Sequence, residues 1–205
     1  MQGQGKMLVF IEKRLVLLAT PKTGSTALHS ALAPHADMVF RNLPQVKHMS
    51  LRRYLRFVAP LVAQYSDQPM ETCALIRAPE DWLGSWYRYR QRDAIAAGPR
   101  STRGLTFEAF VAGYLSSPPP PPAAVGVQSR FLSGPRGEGS VDVLFRYEAF
   151  EAFRQWLSQR LDLPIALGQE NVSPQGAPLD LSDTMRARLH AKCAACFRLH
   201  EGARA

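Results

Sequence analysis

The segment Thr20-Pro21-Lys22-Thr23-Gly24-Ser25-Thr26 gathers a lysine, a glycine and several small hydroxyl residues between an apolar run and a stretch with helical spacing. A glycine there lets the backbone N–H groups of Thr23, Gly24, Ser25 and Thr26 converge on an anion at a helix N-terminus, and Lys22 adds a full positive charge at the mouth. The order of residues is not that of a Walker A loop, because Lys22 precedes Gly24 rather than following a glycine, so hydrolysis of a nucleoside triphosphate loses support. The plainer reading is a strand-to-helix turn capped by Thr23 or Ser25. A second constellation is Arg77, with Pro79 shortly after it and Ser85 eight residues on. Arg77 ends an apolar run and can present its planar fork to a phosphate, while Ser85, about two turns into the next helix, can add a hydroxyl. Here the plainer reading pairs Arg77 with Glu80 or Asp81 and leaves Ser85 as a surface residue.

The elements that must position these residues follow from periodicity. Two short apolar runs, 7–11 and 15–19, are separated by Glu12-Lys13-Arg14 and read as a β-hairpin. After the lysine turn, Ala27, Leu28, Ala31 and Leu32 recur at helical spacing. A β-like piece at 38–40 leads to a basic stretch, 47–56, in which Leu51, Tyr54, Leu55 and Val58 share a helical face. Residues 73–76 read as a buried strand, and a helix from about 80 to 92 follows Pro79, whose missing N–H costs nothing at the first helical position. Segments 98–104 and 116–126 are rich in glycine, proline and serine, and the uninterrupted run Pro118-Pro119-Pro120-Pro121-Pro122 favours polyproline backbone and loop. A strand at 141–145, a helix at 147–160 with Phe150, Phe153, Trp156 and Leu157 on one face, a turn at 171–176 and a last helix at 182–200 complete the chain. Strands alternating with helices predict an α/β fold with a mostly parallel sheet covered on both faces.

Taken in order, these residues resemble the sulfotransferases that use 3′-phosphoadenosine 5′-phosphosulfate (PAPS). Pro21-Lys22-Thr23-Gly24-Ser25-Thr26 is similar to that family's 5′-phosphosulfate loop, and Arg77, Pro79 and Ser85 match its 3′-phosphate motif in order and spacing. The resemblance implies a P-loop-like three-layer sandwich, PAPS as donor, adenosine 3′,5′-bisphosphate (PAP) as product and no metal. It implies transfer of a sulfuryl group to a hydroxyl or amine on a small molecule or glycan, with Lys22 stabilising the leaving phosphate. His48, in Val46-Lys47-His48-Met49, resembles the Lys-His segment of some members and becomes the expected general base. Lys47, Gln128 and Arg130 are expected near the sulfuryl group or the acceptor. Tyr147-Glu148 and Asn171-Val172-Ser173 also resemble family segments and read as scaffold. The resemblance runs from about residue 7 to 174. A noncatalytic module binding PAP-like nucleotides or RNA is the alternative, and a nucleotide kinase a more distant one.

Composition bounds both readings. With 205 residues, 46% hydrophobic and 20% charged, the chain is expected to form one globular domain spanning 1–205, which excludes collagen, coiled coil and general disorder. The formal charge of +8 favours anionic partners. No apolar run approaches the roughly 20 residues of a membrane span. Three cysteines suit no disulfide framework, and the N-terminal segment lacks a signal-peptide pattern, so a cytoplasmic protein is expected. Cys193-Ala194-Ala195-Cys196 is a lone CxxC within an alanine-rich helix, and although Arg88, Arg90 and Arg92 beside Tyr87 and Tyr89 could suggest RNA binding, Arg88 and Arg92, four apart, read as a solvated basic face rather than a surface for a nucleic acid polymer.

Overall fold

A computed structural model of the protein describes residues 7–137, 139–167 and 179–205. The strands are β1 (Met7–Phe10), β2 (Leu15–Leu17), β3 (Met38–Phe40), β4 (Glu71–Ile76) and β5 (Val143–Arg146). The helices up to residue 96 are α1 (Ser25–Leu32), α2 (Pro44–Lys47), α3 (Leu51–Phe57), α4 (Ala59–Val62), α5 (Pro79–Tyr89) and α6 (Asp93–Ala96). Beyond them come α7 (Phe107–Leu115), α8 (Gln128–Leu132), α9 (Phe150–Leu161), α10 (Asp183–Lys192) and α11 (Ala194–Gly202). The chain divides into two compact units, one built from the described residues of 7–77, 128–167 and 202–205, the other from 78–127 and 179–201.

The first unit is an α/β sheet in the order β3-β1-β2-β4-β5. It is mixed. β2, β4 and β5 pair in parallel, whereas β1 runs antiparallel to both β2 and β3. A mostly parallel sheet was expected, and the departure has a local cause. Only an antiparallel pair can be closed by the tight turn at Ile11, where the Arg14 N–H donates to the Ile11 carbonyl at 2.9 Å. On one face, Leu8, Leu17, Leu75 and Phe145 pack with Leu28 and Leu32 of α1 and with Phe153 and Leu157 of α9. Met7, Val9, Val16, Ala74 and Ile76, which alternate with them along the strands, are equally buried, so both faces of the central strands are covered.

Beside β4, the Asp142 carboxylate accepts hydrogen bonds from the Thr72 N–H and hydroxyl, both at 2.7 Å, which locks the start of the β4–β5 pairing. The Arg146 N–H donates to the Arg204 carbonyl and the Arg204 N–H to the Leu144 carbonyl, each at 2.9 Å, so the backbone at 204 lies along β5. On the helix α3, Leu51, Tyr54 and Val58 are buried as the spacing predicts, but Leu55 is 40% exposed.

The second unit is helical. Trp82, Leu83 and Tyr87 of α5, Phe107, Phe110 and Val111 of α7, and Met185 and Leu189 of α10 form its core. α7 lies between the two segments read as loop, 98–104 and 116–126, in a stretch where no element was expected. Its N-cap is Thr106, whose side chain accepts the Ala109 N–H. The last helix is broken at Cys193, with φ −105° and ψ 19°, into α10 and α11. Cys193 and Cys196 both point into this core, and burial raises the Cys193 pKa, which fits a packing role for the CxxC.

Arg90 shapes the proline-rich segment. It is 6% exposed, and its guanidinium donates to the carbonyls of Pro121 at 2.7 Å, Pro122 at 2.5 Å and Ala124 at 3.0 Å while lying over the Trp86 ring. Burial, reinforced by Arg100, lowers its pKa. Pro120 keeps polyproline backbone at φ −66° and ψ 159°. A cation bound to three carbonyls makes this segment a fixed part of the second unit. Arg90→Met leaves those carbonyls without donors and is expected to destabilise the unit by about 3 kcal/mol or more. Denaturant unfolding, together with faster proteolysis at 116–126, measures the loss.

Candidate functional site

Three parallel strands deliver their carboxyl ends to one edge of the first unit. β2 runs into the lysine turn, β4 into Arg77 and β5 into Tyr147. After β2 the chain moves by way of α1 to β3 on one side of the sheet, whereas after β4 the next strand, β5, lies on the other side. The β2–β4 boundary is therefore a topological switch point, where adjacent connections diverge and leave a crevice outside the strand ends. The pairing opens it further, because β2 ends at the Leu17–Cys73 register while β4 continues beside β5 to Ile76–Arg146.

The turn itself is strained in an informative way. Lys22 sits at φ 67° and Gly24 at φ 63°, ψ 13°, both left-handed. A lysine in that region costs on the order of 1 kcal/mol, and such outliers cluster at functional sites. Gly24 is the N-cap of α1 and makes no side-chain cap, so the first backbone N–H groups of α1 have no side-chain acceptor from the cap position. Thr23 is buried and donates its hydroxyl hydrogen to the Thr20 carbonyl at 2.9 Å. Its hydroxyl braces the turn. Thr26 is half-buried in the first turn of α1.

Arg77 is held at this edge by Gln128. The Arg77 N–H donates to the Gln128 side-chain oxygen at 3.1 Å, and the Gln128 amide donates back to the Arg77 carbonyl at 2.9 Å. Gln128 is 2% exposed and its amide is occupied by backbone, so it positions Arg77, whereas Arg130 on the same helix is exposed. The Arg77 guanidinium lies 4.7 Å above the Tyr147 ring, and it forms no ion pair among the described residues. Glu80 pairs instead with Arg186 at 3.8 Å. The same Tyr147 ring packs on the lysine turn, since a Cβ built on Gly24 would stand 2.7 Å from Tyr147 Cε2. Arg77, Tyr147 and Gly24 thus form one contiguous wall. Arg77 Nε and Thr20 Oγ1 are both buried without a hydrogen-bond partner among the described residues. Two unmatched polar atoms and an unneutralised cation at one edge fit an anionic group.

His48 joins the edge from α2. Its Nδ1 lies 2.8 Å from the Ala19 carbonyl, just past β2. Because a carbonyl only accepts, Nδ1 carries the hydrogen and Nε2 keeps its lone pair. Burial lowers the His48 pKa, the bond to Ala19 opposes this, and Lys47 adds to the lowering. Lys47 is 6% exposed, and burial lowers its pKa as well. Ser85 lies half-buried on α5 in the second unit. The segment 171–176 falls outside the described residues.

Tyr147 and Thr20 are the members that sequence reasoning missed. The available signal was positional, since Tyr147 follows β5 as Arg77 follows β4. At the opposite edge, a surface cleft lined by Phe10, His35, Asp37 and Leu161 offers a weaker constellation, because the Asp37 carboxylate already accepts the Ile11 N–H at 2.6 Å.

Comparison with protein-family models, curated proteins and solved structures finds no match for this chain. Among the described residues no group of acidic, histidine or cysteine side chains is placed to hold a metal ion, and no helix is long and apolar enough to cross a membrane. Gly24→Ala is expected to cost about 1 to 3 kcal/mol through its positive φ and the collision with Tyr147. In Gly24→Ala/Tyr147→Ala the collision disappears and the φ penalty stays, so urea titrations should show a loss smaller than the sum of the two single variants.

Proposed function

We propose that the chain is a sulfotransferase with a P-loop-like three-layer first unit, moving a sulfuryl group from PAPS to a hydroxyl or amine and releasing PAP. The observation that carries this reading is the wall of Gly24, Tyr147 and Arg77 beside the lysine turn, which brings two sequence-distant anion-binding elements to one crevice. The backbone N–H groups at the start of α1 and Lys22 would hold the 5′-phosphosulfate, and Arg77 the 3′-phosphate, with Gln128 fixing its backbone. PAPS supplies an activated sulfate whose bond to the bridging phosphate oxygen breaks on transfer.

The chain's own residues supply the remaining chemistry. His48 Nε2 accepts the proton of the acceptor hydroxyl as its oxygen attacks sulfur, and the Ala19 carbonyl holds the imidazole in the tautomer that can do so. Lys22 puts positive charge where the leaving phosphate develops its negative charge. Burial, with a smaller contribution from Lys47, disfavours the imidazolium and favours the neutral base.

Calorimetry with PAP tests the anion site. Binding is expected to weaken about tenfold to hundredfold in Arg77→Ala, because hydrogen bonds to charged groups contribute roughly 1.5 to 3 kcal/mol. ATP should bind far less well than PAP, and equal affinity would favour a general nucleotide-binding module. With labelled PAPS and a cognate acceptor, His48→Ala is expected to lower kcat by about 10² to 10⁴.

The pH dependence has a defined sign. Since the folded pKa of His48 lies below 6.5, turnover should rise with pH through a limb centred below that value and then level off. The same shift makes the unfolded chain bind the proton first, so this residue's contribution to stability is lost as pH falls below 6.5. His48→Gln removes that part of the stability profile in calorimetric melts.

A further inference from the structure

The helical pair α3–α4 presents a surface unlike the rest of the molecule. Of the six exposed large hydrophobic residues among the described residues, five fall between 43 and 65: Leu43, Leu55, Phe57, Leu61 and Tyr65. Phe57, Leu61 and Tyr65 recur every four residues and are 58%, 44% and 66% exposed. Backbone bonds from Val58 N–H to the Tyr54 carbonyl and from Val62 N–H to the Val58 carbonyl, both 2.9 Å, carry the helical path across the junction, so Phe57 and Leu61 share one ridge, and Tyr65 follows in the turn after α4, its N–H donating to the Val62 carbonyl at 2.9 Å. Beside this ridge stand Arg52, Arg53 and Arg56, all exposed, and none forms an ion pair among the described residues. The Arg56 guanidinium lies 5.0 Å over the Phe57 ring, and Arg53 donates to the Gln45 carbonyl at 3.3 Å. From residue 41 to 65 the chain contains no aspartate or glutamate.

A solvated helix face would not hold aromatic and aliphatic side chains in register beside unpaired arginines, and exposed patches of this kind mark interaction surfaces. Charge selects an anionic occupant. The aliphatic ridge then selects among anions, because a sulfated or phosphorylated polymer would satisfy the arginines but offers no apolar phase for Leu55 and Leu61. We propose that the α3–α4 face docks on an anionic lipid surface, with Arg52, Arg53 and Arg56 at the headgroup phosphates and Phe57, Leu61 and Tyr65 entering the interfacial layer. An amphipathic segment with arginines on its polar side and Phe, Leu and Tyr on the other lies in the plane of such an interface. Long arginine stems let the charged heads stay at phosphate level while the ridge inserts. This inference stands apart from the sulfotransferase reading, since none of its residues belongs to the Arg77–His48 edge.

Co-sedimentation of the full chain with phosphatidylcholine vesicles, with and without phosphatidylglycerol, provides the test. Binding is expected only with the anionic lipid and should weaken as salt screens the arginines. Arg52→Glu/Arg53→Glu/Arg56→Glu should reduce affinity at least about hundredfold, given roughly fivefold per arginine. Phe57→Ser/Leu61→Ser should abolish the part that survives high salt, with melting temperatures confirming that both variants fold. The proposal is overturned if the parent protein binds both vesicle types equally or neither, or if both folded variants bind as it does. It also fails if the face proves to hold a second copy, seen as a concentration-dependent dimer that Phe57→Ser/Leu61→Ser dissociates.

Discussion

A guanidinium that pairs with no carboxylate among the described residues, held at the carboxyl edge of a parallel strand trio, is the constraint around which the first unit is organised. Holding such a charge half inside a protein is unfavourable unless something compensates, and here the compensation is partial. The Tyr147 face supplies a cation–π contact, and Gln128 spends its whole amide on the Arg77 backbone rather than on the side chain. The fork itself forms no ion pair among the described residues. The left-handed Lys22 is a second local cost at the same edge.

The second unit treats the same residue type in the opposite way. Arg90 is more buried than Arg77, yet its donors are taken by three carbonyls of the proline-rich segment, and none of these acceptors carries a charge. Thr102 adds a hydroxyl bond to the Tyr87 carbonyl at 2.7 Å, and the Tyr87 hydroxyl donates to the Leu105 carbonyl at 2.5 Å. Side chains there replace the regular backbone pairing that irregular chain lacks. One arginine holds loops together, while the other packs its guanidinium on an aromatic ring.

Much of this was legible in the sequence where pattern and burial coincide. The hairpin, β3, β4, β5, α1, α5 and α9 lie within a few residues of where apolar periodicity predicts them, because the centre of the patterned face is buried in all but β3, whose three residues are half-buried. The failures have identifiable causes. α7 lies between two glycine- and proline-rich segments, which made its surroundings read as loop although Phe107, Phe110, Val111 and Tyr114 carry a clear apolar face. Leu55 fits the helical spacing of its neighbours but lies at the margin of the buried arc. At the site, residue types pointed to Lys22, Gly24 and Arg77, whereas Tyr147 stayed hidden because an aromatic after a strand is indistinguishable from core without knowing which strands are neighbours. Gln128 looked like a ligand contact for the same reason, since only the fold shows its amide turned to the Arg77 backbone.

The backbone at residue 204 laid against β5 has a consequence for how the sheet behaves among many copies of itself. Its carbonyl and N–H occupy groups of Arg146 and Leu144 that an outermost strand would otherwise display to any passing chain. The opposite rim, β3, is only three residues long. A sheet blocked on one margin and truncated on the other gives a stray strand little to template on, which protects a crowded solution of this protein from edge-to-edge polymerisation.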